Sequence, residues 1–113
     1  MNGNDIVIVS ATRTAIGKFG GQFATTSAIK LGTAVAKSAI QKAKLSPDQI
    51  DTVIFGNVLQ AGLGQNPARQ VGLKAGLLHS STALTVNEVC GSGLKAIILA
   101  AQSLRLGDAK IVL

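Results

Sequence analysis

The chain has no Trp and no Tyr, and its 113 residues hold three Phe, two Pro, one Met, one His and one Cys. A single cysteine closes no internal disulfide, and without a cysteine pair or a histidine cluster no set of residues has metal-ligand spacing, so no metal is expected. His79 stands alone near the end of an expected helix and is predicted to be a solvated residue. With only Phe19, Phe23 and Phe55 as aromatics, platforms for stacking bases are scarce. The net charge is +6, but the basic residues are scattered from Arg13 to Lys110 and form no block, which argues against nucleic acid and suits a phosphate-bearing small molecule. The start, MNGNDIVIVSATRT, lacks the basic, apolar and small-residue regions of a secretory signal. No apolar run reaches the ~18 residues of a membrane span. A cytoplasmic location and no membrane partner are the expectations. Charged residues make up only 14% against 47% hydrophobic, a balance that excludes a disordered chain.

What is present alternates between two periods. Ile6–Ser10 (IVIVS) is a continuous β-branched run, the pattern of a strand covered on both faces. From the candidate cap Ser27 to about Lys44, Ala28, Leu31, Val35 and Ala39 recur at helical steps while the lysines fall elsewhere, which predicts an amphipathic helix. Ser46-Pro47-Asp48-Gln49 has the cap, first-turn proline and returning glutamine of a short helical turn. The strand DTVIFGNV follows. Asn66-Pro67 then starts a helix to about Ala75 that Gly76 can end. ALTVN is the next strand, and a helix to Leu106, the stop Gly107 and a last apolar run, AKIVL, complete the chain. Strands separated by helices predict an α/β fold with a largely parallel sheet.

Two glycine-rich stretches look like nucleotide motifs and fail. Gly62-Leu63-Gly64-Gln65-Asn66-Pro67 has proline where a dinucleotide fingerprint needs its third glycine, and AIGKFGG lacks the upstream glycine and the Ser or Thr of a P-loop. Loop geometry is the expected role of both.

The one cysteine falls between ALTVN and the last helix, in VNEVCGSGLKA. Two readings of Cys90 stand. An unpaired cysteine is commonly a small buried hydrophobe. A cysteine on a turn into a helix instead lies near free N–H groups and the positive end of the helix dipole, which favour thiolate, the nucleophilic form. Gly91 and Gly93 let the turn tighten and a substrate approach the main chain, whose N–H groups could hold an oxyanion. Acyl transfer to sulfur is the chemistry that uses both features. Lys95, one turn into the helix, adds little and is expected to be solvated.

The last helix is apolar around most of its circumference, with Lys95, Gln102, Ser103 and Arg105 its only polar residues beyond the first turn. Such a helix is expected to be covered on nearly all sides, more than 113 residues obviously supply. The sequence also stops inside the apolar run of DAKIVL. Both features suggest the front part of a longer protein.

VNEVCGSGLKAI resembles the acyl-enzyme motif of the thiolases, and IVIVSATRTAIGKFGG, GNVLQAGLGQNPARQ and ALTVN resemble the segments that precede it, in the same order and spacing. The resemblance covers nearly the whole chain and is greatest to the acetyltransferase branch of that family. It implies a layered thiolase-like α/β fold, with residues 1–113 the N-terminal portion of the N-terminal domain and the loop and C-terminal domains outside them. It implies that Cys90 is the acylated nucleophile in the condensation of two acetyl-CoA to acetoacetyl-CoA and in the reverse thiolysis. Coenzyme A thioesters are then substrates, no cofactor is needed, and the whole protein is a homodimer or homotetramer with ALTVN near the two-fold interface. The family's activating histidine, second cysteine and asparagine come later in its chain. His79 does not match that histidine's motif, so the 113 residues alone are expected to be inactive.

Two rivals share parts of this pattern. A condensing enzyme acting on acyl carrier protein would have the same fold and a cysteine on the same helix, although VCGSGLKA favours a thiolase. A non-catalytic binding module derived from such a front half would keep the fold without the chemistry.

Overall fold

The computed structural model describes residues 4–113, in the order α1 (Ala28–Lys42), a 3₁₀ turn (Pro47–Gln49), β1 (Thr52–Gly56), α2 (Pro67–Lys74), β2 (Thr82–Val86) and α3 (Ser92–Leu106). β1 and β2 run parallel, in a register that pairs Thr52 with Thr82 and Gly56 with Val86. The crossover between them is α2, the connection a parallel pair requires. On the other side of β1 the last residues run parallel to it as well. Leu113 N–H donates to the Thr52 carbonyl at 3.0 Å, and Ile54 N–H donates to the Leu113 carbonyl at 2.8 Å. The α/β architecture expected from the alternating periods is therefore present.

Alternation along β1 assigns the layers. Val53 faces α2, where its side chain meets Gly72, and Phe55 on the same face reaches Gly32 of α1. Gly56, on the opposite face, meets the start of α3. The sheet thus lies between α1 and α2 on one side and α3 on the other. The core fills the first interface: Ile29, Ala36 and Ile40 of α1, Val53 of β1, and Ala68 and Val71 of α2, joined by Ile50, Ala75 and Leu77.

The helix boundaries follow their caps. The Ser27 hydroxyl accepts from Lys30 N–H at 3.1 Å, as a cap serine should. In the Ser46 turn, Ser46 N–H donates to Gln49 Oε1 at 2.8 Å and the Ser46 hydroxyl bonds the Asp48 carboxylate. The Asn66 side chain accepts from Arg69 N–H at 3.2 Å. Gly107 ends α3 in the left-handed conformation, at φ 78°.

Three expectations need correction. The buried stripe of α1 is Ile29, Ala36 and Ile40, whereas Ala28 is exposed and Leu31, Val35 and Ala39 are half-buried. The spacing was right and the phase was off by one position, because both faces of this helix carry apolar residues. Ile6–Ser10 is not a strand. Ile8 is 76% exposed, and no strand lies beside this segment among the described residues to complete its backbone hydrogen bonds. It is tied to α1 instead, with Ser10 Oγ donating to the Ala39 carbonyl at 2.8 Å. By contrast, α3 is covered on one side only, as expected of a helix needing more cover than these residues supply: Ser92 and Ala96 are buried, while Leu94, Ile97 and Ile98 are exposed. Finally, Val89–Leu106 is 18 residues long and apolar enough by composition to cross a membrane, so length and composition do not exclude a span.

An apolar groove of about 480 Å³ runs between the Ile6–Ala11 segment, the end of α1, β1 and α3. The two glycine-rich stretches are loops, as expected. Gln70 Nε2 holds the second of them through the carbonyls of Leu63, at 2.7 Å, and Gln65, at 2.9 Å.

Candidate active site

β1 and β2 end side by side, and α3 starts from the same end of the sheet. Asn57 N–H, just past β1, donates to the Val86 carbonyl at the end of β2 at 2.9 Å. Between Val86 and Ser92 the chain must reverse from strand to helix within five residues, and it does so in a tight turn that carries Cys90. Gly91 N–H donates to the Glu88 carbonyl at 3.0 Å, and Ser92 N–H to the Val89 carbonyl at 3.1 Å.

Val89, the residue before the cysteine, has φ 51°. A β-branched residue in the left-handed region is strained, by about 1–3 kcal/mol, and persists only where the surroundings over-determine it. Two side chains do so. Asn87 Oδ1 accepts from Val89 N–H at 2.9 Å while its Nδ2 donates across to the Val58 carbonyl at 3.3 Å. Ser92, only 4% exposed, accepts from Glu88 N–H at 2.8 Å and donates to the Val89 carbonyl at 2.6 Å. The strand end, the turn and the helix start are locked into one unit.

Cys90 is a free, exposed thiol on this unit. Its position is two residues ahead of the first residue of α3, where the helix N–H groups point back along the axis. Lys95 lies 3.9 Å from the Glu88 carboxylate with both side chains largely exposed, an ion pair of little energetic weight. The expectation that Lys95 is a solvated residue fits that arrangement. His79 is exposed in the turn before β2, and its carbonyl accepts from the Arg69 guanidinium at 2.9 Å. Gly91 and Gly93 flank Ser92 as the sequence suggested. Among the described residues, no group of three or more His, Cys, Asp and Glu side chains converges.

The sequence reading found Cys90 and the glycines but missed Asn87 and Ser92. Their signal was available in part: an Asn or Ser at a strand-to-helix reversal is a residue type that bonds nearby backbone. A second supporting network is also visible only in three dimensions. Asn66, itself at φ 45°, donates to the Ala83 carbonyl at 3.1 Å and accepts from the Thr85 hydroxyl at 2.7 Å. Thr85 in turn accepts from Ala68 N–H at 2.9 Å. This network pins the start of α2 to β2, the strand that delivers the cysteine. At the same end of the sheet the Asn57 Oδ1 is buried with no hydrogen-bond partner among the described residues.

Comparison with known proteins agrees with the motif and the fold. Residues 6–113 match the family described as thiolase, N-terminal domain. The chain is 59% identical over 106 residues to an acetyl-CoA acetyltransferase of Escherichia coli, an alignment covering 94% of this chain and 27% of the relative. It is 56% identical over 108 residues to the acetyl-CoA acetyltransferase of Cupriavidus necator, covering 96% of this chain and 28% of that one. A cytosolic acetyl-CoA acetyltransferase of Rattus norvegicus is 51% identical over 107 residues, covering 95% of this chain and 27% of its own length. The chain thus spans just over a quarter of the curated relatives it matches. The family match extends from the Ile6–Ser10 segment through the Cys90 turn to Leu113, and on it this chain belongs to the thiolase family.

Proposed function

We propose that the whole protein is an acetyl-CoA C-acetyltransferase in which Cys90 is the acylated nucleophile, and that residues 1–113 are the N-terminal portion of its N-terminal domain. The observation that carries this reading is the exposed thiol of Cys90 on a strained, doubly braced turn at the start of α3. A structural cysteine needs no such bracing. An attacking sulfur does, because small errors in its placement cost rate steeply.

On this reading the thiolate attacks the carbonyl carbon of an acyl-CoA thioester, coenzyme A leaves, and the acyl group stays on Cys90. A second acetyl-CoA, deprotonated at its methyl, then attacks the acyl-cysteine to form acetoacetyl-CoA, and thiolysis runs the same steps backwards. The remaining acid–base groups belong to parts of the protein outside these residues. The 113 residues alone are therefore inactive, since a nucleophile without its base and oxyanion partners loses most of the rate. Coenzyme A thioesters are substrates, and no cofactor takes part.

The names of the relatives support the substrate class, and the cytosolic rat relative supports a cytoplasmic location. We read α3 as a core helix that the rest of the protein covers, not as a membrane span. Assembly into a homodimer or homotetramer fits the outer edge of β2, which is unpaired among the described residues.

The test is thiolysis of acetoacetyl-CoA by the full-length protein and by its Cys90→Ala variant. The reading expects activity in the first and a loss of at least about 1,000-fold in the second. Wild-type turnover by Cys90→Ala would overturn the assignment, and thiolysis by residues 1–113 alone would overturn the claim that they are incomplete.

A further inference from the structure

Gly56 closes β1 on the face that meets α3, and there is no room for a side chain. A methyl group on it would lie 2.5 Å from the carbonyl carbon of Ser92, 2.6 Å from the nitrogen of Gly93 and 2.7 Å from the Ser92 carbonyl oxygen. All three are backbone atoms, so no rotamer change relieves the clash. Ordinary contact between carbons begins near ~3.5 Å, so the first turn of α3 would have to back away by about 1 Å.

That displacement does not stop at Ser92. The Ser92 hydroxyl bonds both Glu88 N–H and the Val89 carbonyl, so the cysteine turn travels with it. The turn is also held from its other end, where Asn87 links Val89 N–H to the carbonyl of Val58, two residues beyond Gly56. The end of β1 therefore touches the turn twice, once through the missing side chain of Gly56 and once through the Val58 carbonyl.

We infer that the end of β1 is the seat that positions the nucleophile turn, with Gly56 and Asn87 as positioning residues that act on Cys90 through Ser92 and Val89. Among the described residues neither forms a hydrogen bond with the sulfur. The inference rests on the nucleophile reading of Cys90, and it adds that the sulfur's location is set by a backbone-to-backbone contact between β1 and α3.

The experiment compares Gly56→Ala, Asn87→Ala and Gly72→Ala in the full-length protein. Gly72 is the matched control. A methyl group there would meet Val53 Cγ1 at 3.0 Å and Leu77 Cδ2 at 3.4 Å, both side-chain atoms in the core beneath the sheet. The readouts are kcat and KM for acetoacetyl-CoA thiolysis per folded molecule, the rate of iodoacetamide labelling of Cys90 by peptide mapping, and Tm. A 1 Å misplacement costs about 100-fold, so Gly56→Ala is expected to lose about that much kcat with KM little changed. Labelling of Cys90 should fall with it. Asn87→Ala should move the same two readouts in the same direction, and it carries the test if Gly56→Ala does not fold. Gly72→Ala should lower Tm and keep kcat per folded molecule.

Wild-type kcat and labelling in folded Gly56→Ala and Asn87→Ala would overturn the positioning role and leave the nucleophile reading standing. An equal kcat loss in Gly72→Ala would overturn it too, because the effect would then be global. Wild-type activity in Cys90→Ala defeats the nucleophile reading itself and is read from a separate variant.

Discussion

Ser92→Ala removes one oxygen from the turn and tests whether the bracing of Cys90 is as specific as its geometry suggests. The side chain is 4% exposed and makes two hydrogen bonds, accepting from Glu88 N–H at 2.8 Å and donating to the Val89 carbonyl at 2.6 Å. The Val89 carbonyl keeps a second partner, Ser92 N–H at 3.1 Å, and loses little. Glu88 N–H loses the one partner it has among the described residues, and because Glu88 is an exposed residue the cost falls toward the low end of about 1–3 kcal/mol. That range matches the ~1–3 kcal/mol of strain stored at Val89. Without the hydroxyl, the strained turn and a relaxed one become comparable in energy. Two turns of comparable energy share the molecules, so the population holding the native turn, and kcat with it, should drop by about twofold. Urea unfolding should show a lower midpoint at an unchanged slope, and steady-state thiolysis should show the loss in kcat more than in KM. Ser92→Ala with both the midpoint and kcat of the wild type would refute the bracing argument.

Other consequences follow from the core, the cap and the sheet edge. Val53→Ala, at a side chain 1% exposed between β1 and α2, should destabilise the chain by about 2–3 kcal/mol in urea, since two buried methyl groups and the resulting cavity both count against it. Asn66→Ala removes the α2 cap and the bond to Ala83, and it should cost about 1–2 kcal/mol, measured the same way. The Asp51 carboxylate accepts from Ile111 N–H at 3.0 Å and Lys110 N–H at 2.7 Å, and these bonds hold its pKa below the ordinary value of 3.8. A depressed carboxylate contributes stability that is present above its unfolded pKa and lost as pH falls through its folded one. Protection of residues 110–113 against amide exchange, taken relative to the intrinsic rate at each pH, should therefore fall as the pH drops below ~4 in the wild type. Asp51→Asn should already show the low protection at neutral pH, and wild-type protection that does not change across this pH range would count against the contact.

Much of the fold was legible because the local signals are strong and agree with one another. Ser27, Pro47, Asn66-Pro67 and Gly107 each mark a boundary by a mechanism confined to a few residues, and each boundary is where the sequence placed it. What failed depended on neighbours. Whether IVIVS pairs as a strand is decided by another strand, and none lies beside it among the described residues. Which face of α1 is buried was ambiguous because Ile29 and Ile40 compete with Leu31 and Val35, and the positions of Phe55 and Val71 decide it. At the site, residue type and position in the chain pointed to Cys90. The bracing by Asn87 and Ser92 was legible only as residue types that bond nearby backbone, and their partners and the contact at Gly56 were not, because a hydrogen bond across the ends of two strands, or a missing side chain that a helix fills, leaves no periodic trace in the sequence.

The most direct test of the central claim is to mix the full-length protein with acetyl-CoA, quench within the first turnover, and locate the acetyl group by peptide mass mapping. The account predicts one acetyl group on the peptide containing Cys90, removed when free coenzyme A is added before the quench. A peptide that stays unmodified while the protein turns over, or an acetyl group carried elsewhere, would contradict it.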